Sequence, residues 1–450
     1  MLAFGTIATA AAASALPYRI SGQGYLTDDS HPWHPGDFFK AEIAYRLIVN
    51  PPLSETIIEF ESGPIEKREV DRYYSRRGRI FQAADDSLEM GAAPLGDLSA
   101  ATVAALHPMM IEMAMQERPE NLSIQADGNS LFAWNDELWR IARGAGSGEI
   151  LSMSRKVYSS LVGDGEEVIA FEWSSGPGGK QEPKRVVVTE RGRTIADIQF
   201  DSGQQAVAAD SILHWPQVDR SRDLGAYMPE SEIVFTQIAP HVYCIDLFSE
   251  NTRVTVAEFA DYVFVIEGAY TSRNCDLIAA KVREKFGKPV RYFAFSHLHG
   301  QYIGGTRSWV AEGATVVVPP TTAPLIREIV NSNHSSHPDA LSRAPREVNI
   351  EEVAESRTFK DATNELVVHN IVSQHTDEYL IFYFPQQKLL LCGDLMFYRP
   401  GKPITGRSKN LYDKVKALNL DVERYVATWP LDGYGTKNIV TKEEVVEAAK

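Results

Sequence analysis

The stretch "SHLHGQYIGG", Ser296–Gly305, follows the apolar run "VRYFAF", and how it is read decides the fold. Histidines at i and i+2 on the end of a strand share a face, roughly 7 Å apart along the backbone, so both rings can turn onto one ion at about 2.0–2.1 Å. That spacing suits metal chemistry. The residues that follow, Gln301 and Tyr302, offer a second ion neither a carboxylate nor an imidazole.

Outward from this loop, strands alternate with helices across 233–450. "IVFTQIAPHVYCIDLF" and "RVTVAEFADYVFVIEGAY" read as strands, a helix starts at Ser272 and runs through "RNCDLIAAKVREKFG", and "PVRYFAFSHLHG" returns as a strand before another helix and "ATVVVPP". Such alternation predicts an α/β layer structure whose strand-end loops hold the chemistry.

Four landmarks of this half, taken in order, resemble the metallo-β-lactamase fold superfamily. "TQIAPHVYCIDLFSENTRVTVAEFADYVFVIEGAY" is similar to its opening strands, "SHLHGQYIGG" to its HxHxDH loop, "SQHTDEYLIFYFPQQKLLLCGDLMF" to its third-histidine and aspartate segments, and "TWPLDGYG" to its closing turn. The resemblance implies an αββα sandwich with a metal cleft along one sheet edge. It places three imidazoles on the first metal, at His297, His299 and His375, and it makes Asp394 of "CGDL" the aspartate that bridges two metals. At the second metal the chain departs from the pattern: Gln301 replaces an aspartate, Tyr302 a histidine, and Asp432 the late histidine. A neutral amide is a poor ligand and no base, and a phenol ionises near about 10. The expectation is therefore a single zinc ion per chain, held at the first site, with the second site stripped of its ligands.

A three-histidine zinc with one open position is a complete hydrolytic unit. Asp394, or Asp432 from across the cleft, would orient the attacking water, with Tyr302 as donor to the developing oxyanion. Gln301, with His334 and His337 of "NSNHSSHPDA", are candidates to contact substrate; a surface loop is the plainer reading of the two histidines. His241 and His369 read as structural. The predicted activity is hydrolysis of a small ester, lactone or amide. Two other readings stay open: a lyase using the ion as a Lewis acid only, and a non-catalytic ligand-binding protein with a relic metal cleft. β-Lactam hydrolysis itself fits badly with the substituted second site and a long preceding domain.

That preceding domain, 16–216, has a different grammar. "FKAEIAYRLIV", "SETIIEFES", "EEVIAFEWSS", "KRVVVTERG" and "TIADIQFDSG" alternate or run apolar between Gly, Pro, Asp and Asn, which predicts a mainly antiparallel β domain. One helical pattern interrupts it: Ser99 is a good N-cap, Val103, Leu106, Met110 and Met113 recur at helical spacing, and Pro108 is placed to kink or split the helix. His107 within it is expected to pack or face solvent. "RTIADIQFDSGQQAVAADSILHWP" resembles the long strands of LolA-like half-barrels. His31 and His34 in "SHPWHPGD" read as a solvated turn, and the polar segment 217–232 as a linker.

Composition sets the outer limits. At 450 residues two domains are expected, and 44% hydrophobic with 23% charged residues describes a globular chain. A formal charge of −15 opposes phosphate backbones, so nucleic acid is not an expected partner; a small-molecule substrate is. Cys244, Cys275 and Cys392 are widely spaced and suggest neither disulfides nor a thiolate site. Residues 1–15, apolar and Ala-rich before "ASALP", predict a secretory signal and a periplasmic or secreted protein, with a cytoplasmic one as the alternative. No later stretch reaches the ~18–20 apolar residues of a membrane span.

Overall fold

The computed structural model describes residues 17–28, 39–50, 55–62, 69–76, 79–84, 87–90, 98–135, 137–179, 181–207 and 228–450. The expected signal segment, His31, His34 and the linker up to residue 227 lie outside them. Contacts divide the chain into two units: the first takes the described residues up to 207 except 158–164, and the second takes 158–164 and everything from 228 onward.

Alternation builds the first unit. In the strand Phe39–Asn50, Ile43, Tyr45, Leu47 and Val49 are buried while Ala44, Arg46 and Ile48 between them are partly exposed, as successive side chains must point to opposite faces. Among the described residues, fourteen strands, β1 (Tyr18–Asp28) to β14 (Gln205–Ala206), form one sheet. The strand Phe39–Asn50 runs antiparallel to β1, which also pairs with the strand Arg193–Phe200, so the early and late strands meet at its middle. Its core joins Tyr45, Phe60, Phe132, Trp139 and Ile198 to Val103 and Ile111 of two helices and to Leu106, the C-cap of the first. Those helices, α1 (Ala100–Ala105) and α2 (Pro108–Glu117), are one helical pattern cut in two, because Pro108 has no N–H to continue the first. Ser99 caps α1, and His107, buried, caps α2 by accepting the Met109 N–H at 3.2 Å.

In the second unit one sheet has seven strands: β15 (Phe235–Ala239), β16 (Val242–Leu247), β17 (Thr252–Glu258), β18 (Val263–Ile266), β19 (Val290–Ala294), β20 (Thr315–Val318) and β21 (Ile350–Glu352). From β18 to β21 the pairing is parallel, so crossovers are needed. They are made by α3 (Ser272–Phe286), the short α4 (Gly300–Ile303), α5 (Thr306–Ala311), α6 (Ala323–Asn331) and α7 (Ala340–Arg343). Ile278 and Val282 of α3, Trp309 of α5 and Ile326 of α6 pack on Val254, Val265 and Val316 of this sheet.

A second sheet has six strands: β22 (Ser356–Lys360), β23 (Glu365–Ile371), β24 (Tyr379–Phe384), β25 (Leu389–Leu391), β26 (Arg424–Val426) and β27 (Ile439–Thr441). Every residue of β24 is buried, because both of its faces are covered. Leu380, Phe382 and Phe384 meet Cys244, Ala257, Phe264 and Ala294 of the first sheet, while Ile381 and Tyr383 meet α8 (Gly406–Ala417) and α9 (Lys442–Ala448) through Leu411, Val415 and Val445. No helix among the described residues is long and apolar enough to cross a membrane.

Candidate metal centre

Parallel strands end at one level, and the chemistry gathers where they do. Ile266 of β18 pairs with Ala294 of β19, so Glu267 stands beside Ser296, whose N–H it accepts at 3.1 Å through Oε2. His297 follows. From the second sheet, Leu380 donates its N–H to the Ser296 carbonyl at 2.7 Å, which brings the start of β24 to the same place. Since β24 and β25 are antiparallel, the start of one lies beside the end of the other: Tyr379 therefore meets Cys392 and Asp394. Gly393 makes this possible; at φ +56° a Cβ there would lie 2.1 Å from the Tyr379 hydroxyl oxygen. His375 arrives from the β23–β24 turn, held by its own N–H on Ser373 Oγ at 3.0 Å.

His297 Nε2 lies 3.2 Å from His375 Nε2, and Asp394 Oδ2 lies 3.3 Å from His375 Nε2 and 3.7 Å from His297 Nε2. A tetrahedral ion at about 2.0–2.1 Å from each ligand holds them about 3.3–3.4 Å apart, so these two imidazoles and one carboxylate fit a zinc-sized cation. They form a potential metal group among the described residues, two of its members buried. Ser296 Oγ lies 3.1 Å from His297 Nδ1; with Nδ1–H donating to that oxygen, Nε2 presents its lone pair to the cluster. Tyr379 donates to Asp394 Oδ1 at 2.9 Å and accepts the Asp394 N–H at 3.0 Å, which leaves Oδ2 facing the rings. On the other side, Arg407 Nη1 of α8 approaches the same Oδ2 at 3.5 Å.

Burial acts against the Asp394 charge, yet His297, His375 and Arg407 hold its carboxyl well below the usual range. Burial pushes the Tyr379 and Tyr302 phenols well above theirs, with the Asp394 charge adding to it, so both are neutral. Burial also raises the Glu267 carboxyl to about 8.

The other sequence candidates are placed differently. His299 is not part of the tight group: its ring centroid lies 6.0 Å from that of His297, and Nδ1 accepts the Gln301 N–H at 3.4 Å as the cap of α4. Tyr302 is fully buried, its ring 5.1 Å from His297 and 5.4 Å from His299, a wall behind both. Gln301 is buried and accepts from the Tyr270 hydroxyl at 3.2 Å. Asp432 is exposed and outside the group; its Oδ1 accepts the Gly433 N–H at 2.7 Å, closing its own turn. His334 is 2% exposed, with Tyr158 on Nδ1 at 3.1 Å and Ser332 on Nε2 at 3.0 Å, so both ring nitrogens have partners within the protein. His337 is exposed, its ring tilted against that of Tyr158 with centroids 4.3 Å apart. His241 pairs with Glu258 at 3.2 Å.

Tyr379, Ser296, Glu267 and Arg407 escaped the sequence reading. Tyr379 and Glu267 sit in apolar strand ends that look like core, and Arg407 lies in a polar helix; only Ser296, adjacent to His297, carried a local signal. A depression lined by Ile233, Phe235, Lys281 and Lys285 shares no residue with the cluster.

No protein-family profile matches the chain, and no curated protein matches it. Solved metallo-β-lactamases are similar to part of it. The enzyme from Pontibacter korlensis is 15% identical, with 47% of this chain and 95% of that chain covered at a TM-score of 0.36. That from Hirschia baltica is 14% identical over 48% and 95%, at 0.34. FIM-1 from Pseudomonas aeruginosa, in its mono-zinc form, is 15% identical over 49% and 96%, at 0.36. What the cluster can do chemically rests on its own side chains.

Proposed function

We propose that this protein is a zinc-dependent hydrolase of a small ester, lactone or amide, with a single ion held by His297, His375 and Asp394 in a metallo-β-lactamase-like αββα sandwich. The observation that carries this is the 3.2 Å and 3.3 Å spacing of His297 Nε2, His375 Nε2 and Asp394 Oδ2, gathered from both sheets of the second unit. A zinc ion in such a site supplies Lewis-acid polarisation of a carbonyl and an acidified water.

The chain's own residues supply the rest. Ser296 fixes the tautomer of His297, and Tyr379 orients Asp394 through two hydrogen bonds. Asp394, itself one of the three ligands, is also the group's carboxylate available as a proton acceptor, since Gln301 cannot serve as a base. His299, the N-cap of α4 with its ring centroid 6.0 Å from that of His297, is the third imidazole of this reading. For the first unit, the half-barrel reading is supported by its continuous antiparallel sheet with α1 and α2 against its buried side chains.

The test is metal analysis of protein purified without chelator, together with turnover of small esters, lactones and amides. About one zinc per chain is expected, with metal and turnover lost together in His297→Ala and in His375→Ala. A chain that stays metal-free when zinc is added overturns the reading. The amide at Gln301 favours one second reading, a lyase with no water-orienting carboxylate; it predicts products without solvent oxygen, read by mass spectrometry in labelled water.

A further inference from the structure

Beside the cluster, the second unit brings together two arginines and three aromatic rings. Phe397, Trp429 and Tyr434 lie with ring centroids 5.2–6.1 Å apart. The Arg407 guanidinium stands 5.7 Å over both Phe397 and Trp429, and the Arg399 guanidinium stands 4.9 Å over Phe397. Phe397 is fixed where it is: its N–H donates to Ser408 Oγ at 2.8 Å, and that hydroxyl donates to the Leu395 carbonyl at 2.9 Å, tying the loop after Asp394 to α8. Arg407 belongs to both places at once, since the same guanidinium approaches Asp394 Oδ2 at 3.5 Å.

These arginines are poorly matched by the protein. Arg399 donates to the Tyr434 carbonyl at 3.1 Å and, among the described residues, has no carboxylate partner. Arg407 has five N–H donors against one acceptor at 3.5 Å. In a chain of formal charge −15, cations are readily paired, and two over aromatic faces beside a candidate reacting centre, one without a carboxylate partner among the described residues and one sharing Asp394 with the cluster, call for an outside anion. Tyr434 is 47% exposed, so the rings are open to solvent on one side.

We propose that this wall is a recognition subsite for a small molecule that carries a carboxylate beside a flat aromatic or conjugated ring; the assignment to substrate rests on the cluster being the reacting centre. The planar guanidinium fork accepts a carboxylate in bidentate fashion, and stacked rings take the flat part of the ligand. In the metal-free protein, two guanidinium charges against one Asp394 carboxylate leave a single net positive charge, which matches a monoanion better than a phosphate dianion.

The test is calorimetric titration of the full chain in chelator, so that carboxylate–metal ligation adds nothing, with 1-naphthoate, 1-naphthamide, cyclohexanecarboxylate and 1-naphthyl phosphate. Naphthoate is expected to bind about tenfold or more tighter than each of the others, since a charge-assisted pair and a stacked ring each contribute on that scale. Arg407→Lys, which keeps the charge and the packing stem, and Arg399→Ala should each weaken naphthoate about tenfold and leave naphthamide unmoved. Trp429→Leu, checked by circular dichroism for an intact fold, should abolish the advantage over cyclohexanecarboxylate. Equal affinity for naphthoate and naphthamide, stronger binding of the phosphate, or indifference to both arginine variants overturns the proposal. The two readings fail separately: zinc-dependent turnover with no preference for anionic aromatic esters sinks the subsite alone, whereas arginine-dependent naphthoate binding by a chain that takes up no zinc sinks the hydrolase and keeps the subsite.

Discussion

One phenol, that of Tyr379, governs the aspartate of the cluster. It donates to Asp394 Oδ1 and accepts the Asp394 N–H, so removing it frees the carboxylate to rotate away from the rings. Tyr379→Phe is expected to lower zinc affinity by about 10–100-fold in a competition titration, with the circular dichroism spectrum unchanged. Glu267 yields a prediction in pH. Its carboxyl is raised by burial from 4.5 to about 8, so the stability it contributes is whole below pH 4.5 and lost as pH rises through 8. In chelator-treated protein, Glu267→Gln should therefore be more stable than the native chain above pH 8, by on the order of a few kcal/mol, and no more stable below pH 4.5, as read from thermal unfolding across that range. His297 and His299 stand out in the sequence as an i, i+2 pair at the end of an apolar run, whereas His375 and Asp394 are placed only by the resemblance of their segments to a known family. Arg407 carries neither signal, since nothing local tells a helix-surface arginine from one that faces a buried carboxylate.

At the scale of elements, caps and buried pairs carry the argument. Thr271 caps α3 by accepting the Asn274 N–H at 3.2 Å, and Gly287 closes it at φ +60°, both readable as punctuation around "RNCDLIAAKVREKFG". Ser99 likewise caps α1, yet its hydroxyl also accepts from Arg155 at 2.6 Å, and Arg155 pairs with the fully buried Glu167 at 2.9 Å. This network ties α1 to two strands, and no pattern of spacing shows it. Glu167→Ala leaves a buried guanidinium short of its partner; we expect a loss of about 3–5 kcal/mol in urea unfolding, moderated by the remaining Arg155–Glu137 pair at 2.9 Å. The strand periods of "FKAEIAYRLIV" and "TIADIQFDSG" fall on strands of the large sheet, because alternate burial is a local property; their neighbours in that sheet are not.

In the whole molecule, the turn between β10 (Ile150–Ser159) and β11 (Gly163–Ser175) departs from sequence order. Residues 158–164 belong with the second unit: Tyr158 meets His334, Asp164 accepts the Ser336 N–H at 3.0 Å, and Leu161 and Val162 pack into its core. Gly163 has φ +74°, and a Cβ there would meet the Asn333 carbonyl oxygen at 2.0 Å. Gly163→Ala is expected to destabilise the protein by more than about 1 kcal/mol, seen as a lower Tm, through strain and a displaced turn. The sequence alone determined the character of each stretch, which runs alternate and which form helices, and it marked His297 and His299 as a candidate pair, because periodicity and residue chemistry are local. Only the tertiary structure decided that His297 and His375, 78 residues apart, stand 3.2 Å from each other, that His299 caps a helix, and that Arg407 faces Asp394. Those outcomes depend on which strands pair and where they end, and such distances are settled by the packing of two sheets rather than by any run of neighbouring residues.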